Sequence, residues 1–135
     1  NGMEYFNSYG GNPVSCAIGH AVLKIIDDED LQSRSEKVGK KLKSMLNKLQ
    51  KNHEIIGEVR GMGLFIGVEF IDRGNKLKPN STDAASIVNA MKNRGILLSV
   101  DGPDKNVIKI KPPMVFNDEN ATFLVENLEA ALSDY

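Results

Sequence analysis

The chain has 135 residues, enough for one domain with its own core, and its 41% hydrophobic and 26% charged content is that of an ordinary globular fold. With 17 basic against 18 acidic residues, the totals exclude a protein whose main partner is nucleic acid or an anionic membrane, leaving room only for a local basic patch. The single cysteine, Cys16, excludes an internal disulfide and favours a reducing compartment; His20 and His53 have no second ligand at zinc spacing.

The chain opens with FNSYGGNP, residues 6 to 13. Gly10 and Gly11 permit backbone angles that a side chain forbids, Asn12 suits a helix cap, and Pro13 suits the first helical position. The pattern predicts a tight turn feeding a helix over residues 12–27, with Val14, Ala17, Ile18, Ala21, Val22 and Ile25 as its apolar face. Gly19 hints at close packing of that helix, and Cys16 on it reads as a buried structural thiol. The acidic run Asp27 to Asp30 fits the start of a second helix, which extends to about Lys51. Leu31, Val38, Leu42, Met45, Leu46 and Leu49 form its stripe, and its lysines read as a solvated face.

IIGEVR (55–60) and LFIGVEF (64–70) predict two strands, the second with Leu64, Ile66, Val68 and Phe70 on one face. The glycines of GMGLFIG precede a strand rather than open a helix, so they read as a turn and not as a dinucleotide fingerprint. DRGNKLKPNST reads as a polar loop. Ser81 or Thr82 caps a third helix that stops at Gly95. ILLSV (96–100) and NVIKI (106–110) are strands around the turn DGPD (101–104), and Asn117 opens a last helix bearing Phe123, Leu124, Leu128 and Leu132. Asn80-Ser81-Thr82 and Asn120-Ala121-Thr122 match the glycosylation pattern, but helix capping accounts for both.

The order after the first helix, α-β-β-α-β-β-α, predicts an α/β (α+β) fold: a small, mainly antiparallel sheet with helices on one face, preceded by a long connecting helix. Two units are expected, residues 1–27 and 28–135. Because the chain starts at Asn1 inside an apparently structured loop, it is expected to be a piece of a longer protein.

Lys109 and Lys111 alternate in VIKIKPP, so a strand projects both ammonium groups to one face beside the rigid Pro112-Pro113 step. This makes a candidate anion site; an ordinary exposed strand face remains the alternative. No Ser/His/Asp arrangement is legible, and a non-enzymatic module that binds a small ligand or a partner chain, docking through the first helix, also fits the spacing.

FNSYGGNPVSCAIGHAVL, EVRGMGLFIGVEF, GILLS and VIKIKPPMVF, in that order, resemble the C-terminal part of the class III pyridoxal-phosphate-dependent aminotransferases. DGPDKNVIKIKPPM resembles most the branch of the ethanolamine-phosphate and phosphohydroxylysine phospho-lyases, the alanine–glyoxylate aminotransferase 2-like proteins. The resemblance implies the C-terminal small domain of a fold type I enzyme, preceded by the end of a large-domain loop and a connecting helix. It implies pyridoxal 5'-phosphate as cofactor, an amine substrate, a homodimer or homotetramer, and the mitochondrial matrix or the cytoplasm as location. In the family motif T-[FY]-G-G-N-P the threonine hydroxyl meets the cofactor phosphate of the partner subunit; Ser8 holds that position and keeps the hydroxyl. Lys109 stands where many family members have the arginine of R-x-x-P-P, a carboxylate fork. A lysine there implies a phospho-lyase rather than ordinary amino-acid transamination, which is the close alternative. The lysine that forms the Schiff base lies upstream in the family, so the resemblance implies no catalytic residue within this chain, and it is expected to be inactive alone.

Overall fold

A computed structural model describes residues 2 and 7–135; Phe6 of the opening motif lies outside the described residues. The chain divides into two compact units, Asn1–Gln32 and Ser33–Tyr135.

In the first unit, Asn12 caps α1 (Pro13–Asp28) by accepting a hydrogen bond from the Ser15 N–H, with Pro13 at the first helical position. Two expectations change here. Cys16 is exposed rather than buried, on a helix whose apolar face, including Val14, Ile18 and Val22, is exposed as well. Among the described residues, no atom lies within 4 Å of a Cβ built at Gly19, so that glycine marks no close approach there. The cause is shared: α1 buries none of its residues. Asp27 and Asp28 belong to the end of α1, where Asp28 pairs with Lys24 one turn back. Asp30, at φ 48, breaks the chain between the helices, so the acidic run ends one helix rather than starting the next.

The second unit is built on a twisted antiparallel sheet. Its strands are β1 (Ile56–Met62), β2 (Phe65–Asp72), β3 (Asn75–Pro79), β4 (Ser99–Asp101) and β5 (Val107–Ile110). The order is β1-β2-β5-β4, with β3 paired to the far end of β2. Alternation along β2 and β5 turns Ile66, Val68, Phe70, Ile108 and Ile110 inward, each almost fully buried. The core they face is completed by α2 (Leu31–Asn52), α3 (Ser81–Asn93) and α4 (Asp118–Ser133), through Leu42, Leu46, Ile87, Met91, Leu124 and Leu128. One sheet face is therefore covered and the other is open, as the alternation of LFIGVEF implies.

Some boundaries move. Residues 75–79, expected as loop, form β3: the turn at Gly74 (φ 89) folds it back on β2, and Lys78 pairs with Asp72 at 2.7 Å. All five residues of β3 are exposed, so no apolar alternation announced it. The ILLSV strand shrinks to Ser99–Asp101, because only Ser99, Val100 and Asp101 register with β5. Asn80, not Ser81 or Thr82, caps α3. Phe123 lies on the outside of α4, where it is 54% exposed, while Ala121, Val125 and Ala131 complete the buried face.

Candidate functional site on the open sheet face

β5 lies between β2 and β4, which places Lys109 opposite Gly67 on one side and Ser99 on the other. Its neighbours in sequence, Ile108 and Ile110, point into the core, so Lys109 must face outward. Gly67 leaves the floor beside it bare; a Cβ there would meet the Val107 side chain at 3.0 Å. A depression of about 400 Å³ results, lined among others by Arg60, Met62, Phe65, Gly67, Asp101 and Lys109.

Lys109 Nζ donates to Asp101 Oδ2 at 2.7 Å across the β4–β5 pair. The other carboxylate oxygen of Asp101 accepts the Gly102 N–H at 2.8 Å. The Lys109 ammonium, then the Gly102 amide, hold the Asp101 carboxyl below its ordinary value. Lys111 lies one residue beyond the end of β5, with its ammonium 5.7 Å from the centre of the Phe65 ring, within range of a cation–π contact.

A second, larger cavity of about 590 Å³ opens at the end of β5. Lys109 and Lys111 are among its lining residues, with Leu97, Pro112, Pro113 and Phe116, although the contacts of their ammonium groups are with Asp101 and the Phe65 ring, which line the depression on the open face. The Pro112–Phe116 segment is held by a turn from the Phe116 N–H to the Pro113 carbonyl (3.0 Å), and Arg34 of α2 donates to the Val115 carbonyl at 3.0 Å. The structure thus brings the two lysines of VIKIKPP to one cavity. Their positive charge is not free of neighbours, since Lys109 is already paired.

Ser8 is described within its own unit. It sits in an exposed turn in which the Gly10 N–H bonds to the Asn7 carbonyl (3.1 Å) and the Tyr9 N–H to the Asn7 side chain (3.0 Å). A Cβ at Gly10 would press to 3.2 Å against the Asn7 carbonyl, so the turn favours the smallest residue there.

Sequence reasoning missed the ionic cluster beside the depression. Arg60 donates to Glu58 at 2.7 Å and to Glu69 at 2.5 Å, and Asn106 reaches Glu69 at 3.4 Å. The Glu69 hydrogen bond comes first among the causes that raise the Arg60 pKa above its ordinary value. The signal was available: Arg60 and Glu69 alternate outward on adjacent strands, but pairing them requires the β1–β2 register. His53, at the end of α2, lies 3.1 Å from Glu129 of α4 and joins helix to helix.

A small α+β unit with an antiparallel sheet, three covering helices and a lysine-bordered cavity is the class of structure these observations define. Residues 3–132 match the profile described as Aminotransferase class-III, and the chain belongs to that family. It is 45% identical over 132 residues to ethanolamine-phosphate phospho-lyase homolog 1 of Caenorhabditis elegans, an alignment covering 97% of this chain and 28% of the relative. It is 49% identical over 121 residues to the alanine–glyoxylate aminotransferase 2-like protein of Drosophila melanogaster, covering 89% of this chain and 24% of that one. Among solved structures, a phospholyase from Arthrobacter in complex with phosphoethanolamine superposes with a TM-score of 0.92 at 37% identity, over 97% of this chain and 31% of that chain. An amine transaminase from an uncultivated Pseudomonas species, in its PLP-bound form, gives 0.84 at 31% identity, over 98% of this chain and 30% of its own. The chain therefore spans roughly a quarter to a third of these relatives. No helix among the described residues is long and apolar enough to cross a membrane.

Proposed function

We propose that this chain is the C-terminal part of a pyridoxal-phosphate-dependent phospho-lyase acting on a phosphorylated amine such as O-phosphoethanolamine or phosphohydroxylysine. Residues 1–27 are the end of the large-domain loop and the connecting helix, and residues 28–135 are the small domain. The observation that carries the reading is the pair Lys109 and Lys111 at one largely apolar cavity. Two ammonium groups suit the dispersed charge of a phosphate better than the planar fork that a carboxylate prefers. The likeness to a phospholyase that binds phosphoethanolamine supports the same substrate class.

The groups present fit the cofactor's phosphate. Ser8 offers an exposed hydroxyl donor in a compact glycine turn, a donor type suited to phosphate oxygens. When bound, pyridoxal phosphate supplies an electron sink for the carbon next to the amine. Ser8 would hold the phosphate of the partner subunit's cofactor. Lys109 and Lys111 attract and orient the substrate phosphate, and Leu97, Pro112 and Phe116 exclude water from the wall beside it. The lysine that carries the cofactor lies upstream of this chain, so the 135 residues alone are inactive. The complete protein works as a homodimer or homotetramer, in the mitochondrial matrix or the cytoplasm.

The test is an assay of the complete protein with O-phosphoethanolamine and with phosphohydroxylysine. Release of inorganic phosphate together with an aldehyde is expected. Lys109→Ala is expected to raise KM for the phosphorylated amine at least tenfold, the loss of about one charge-assisted contact, with a smaller change in kcat. Amino-group exchange with a keto acid and no phosphate release rejects the lyase in favour of a class III aminotransferase, the reading that the transaminase likeness favours.

A further inference from the structure

The two cavities beside β5 share Lys109 and differ in their carboxylates. The open-face depression is lined by Lys109 and by a single carboxylate, that of Asp101. No carboxylate lines the larger cavity, which Lys109 and Lys111 both line. The other cation of the depression, Arg60, is held by Glu58 and Glu69 at 2.7 and 2.5 Å. Lys111 makes no ion pair among the described residues and lies over the Phe65 ring. Lys109 is therefore the cation that borders both an acid partner and a cavity without one.

The sheet builds the Lys109–Asp101 pair. In the β4–β5 register Asp101 stands opposite Val107 and Ser99 opposite Lys109, so Asp101 and Lys109 are diagonal neighbours on the open face. Gly102, at φ 84, turns the chain directly after β4, and its N–H meets one oxygen of Asp101 at 2.8 Å. The other oxygen accepts from the ammonium at 2.7 Å. The backbone thus holds the carboxylate, while the ammonium ends a flexible stem, so the cation is the partner that moves. The pair is also weak enough to break. Its side chains are 36% and 57% exposed, and an ion pair at such a surface contributes little in water.

A phosphate and the Asp101 carboxylate are alternatives for the same ammonium. A phosphate that engages Lys109 and Lys111 together carries more charge than a carboxylate and offers more acceptor oxygens, so it draws Lys109 away from Asp101. The exchange subtracts the broken pair from the affinity, and the carboxylate left behind repels the bound anion. That carboxylate is ionised across the neutral range, because the Lys109 ammonium and the Gly102 amide hold it below its ordinary value. A phosphorylated amine and inorganic phosphate bear the same group and are weakened alike.

We propose that Asp101 is a built-in competitor of phosphate for Lys109. Resting on the phosphate role of Lys109 proposed above, it lowers the affinity of the site for the phosphorylated amine and for inorganic phosphate, and so favours release of the product. The test variant is D101N, which keeps an oxygen for the Gly102 N–H and loses the charge; D101E keeps the charge. The experiment measures binding of inorganic phosphate to the cofactor-loaded complete protein by phosphorus NMR, and KM for O-phosphoethanolamine. D101N is expected to bind phosphate about threefold to fivefold more tightly and to lower KM by a similar factor, the size expected for one exposed ion pair. D101E is expected to stay within about twofold of the parent, and D101N in a Lys109→Ala background is expected to change neither value beyond about twofold. Phosphate binding that D101N leaves unchanged or weakens overturns the proposal, as does a tightening that persists without Lys109, or no phosphate binding by either protein. A tightening of phosphate binding in a protein that releases no phosphate from the amine upholds the competition and rejects the lyase alone.

Discussion

A methyl group at Gly39 would lie 2.1 Å from the carbonyl oxygen of Gly63, closer than any relaxed contact allows. α2 thus rests directly on the turn between β1 and β2, and only hydrogen fits between the two backbones. Gly39→Ala is expected to destabilise the unit by about 2 kcal/mol through overpacking, although alanine is the better helix former, and a lowered denaturation midpoint checks this. Of the helical glycines Gly19 and Gly39, Gly39 faces a backbone and Gly19 meets none among the described residues; which one does so is a property of the packing, not of the local pattern. Asp101 makes a second residue-scale case. Its carboxyl is depressed by the Lys109 ammonium and by the Gly102 amide. A depressed acid contributes its pairing above the ordinary value and loses it as pH falls through the lowered one. The Lys109 pair is therefore expected to be unchanged through the neutral range, and a carbon-13 titration of Asp101 is expected to show a midpoint below 3.8. A midpoint above that value contradicts the pairing. Lys109 itself was legible as a residue type at a spacing; its partner was not, because Asp101 meets it only through the β4–β5 register.

The helix starts at Asn12 and Asn117 were legible, since caps depend on neighbours in sequence, whereas those of α2 and α3 lie a few residues from where the sequence pointed. Asn117 accepts from the Asn120 N–H at 2.9 Å, and the Asn120 side chain accepts from the Asn117 N–H at 3.2 Å, a reciprocal box that starts α4. Asn117→Ala leaves both the N3 amide and the helix start without that support. It is expected to cost about 1 kcal/mol, read as a shift in urea midpoint with unchanged slope. Strands followed their apolar alternation where one face is buried, as in β2. They failed where burial is absent, as in β3, whose five exposed residues are ordered by a turn, a ladder and the Lys78–Asp72 pair. The lysine-rich face of α2, read from the sequence as solvated, belongs at this scale too: Lys40, Lys43, Lys48 and Lys51 share one shallow concavity, and Lys40 is paired with Glu36 one turn back.

In the second unit, one core joins the three helices to the covered sheet face, with Phe70 fully buried near its centre. Phe70→Ala removes a ring that its surroundings cannot refill, and a loss of about 3–5 kcal/mol is expected, measured by chemical denaturation. The sequence by itself determined the α+β class, the inward set of β2, the helix starts at Asn12 and Asn117, and the family, because each of these rests on local chemistry or on motifs in order. Only the tertiary structure decided that α1 leaves its apolar face uncovered within its unit. It alone paired Lys109 with Asp101 and Arg60 with Glu69, and gathered Lys109 and Lys111 at one cavity. The physical reason is that burial and ion pairing depend on which distant segments meet, and a strand register or a helix packing that sets those meetings leaves no trace in the spacing of any one segment.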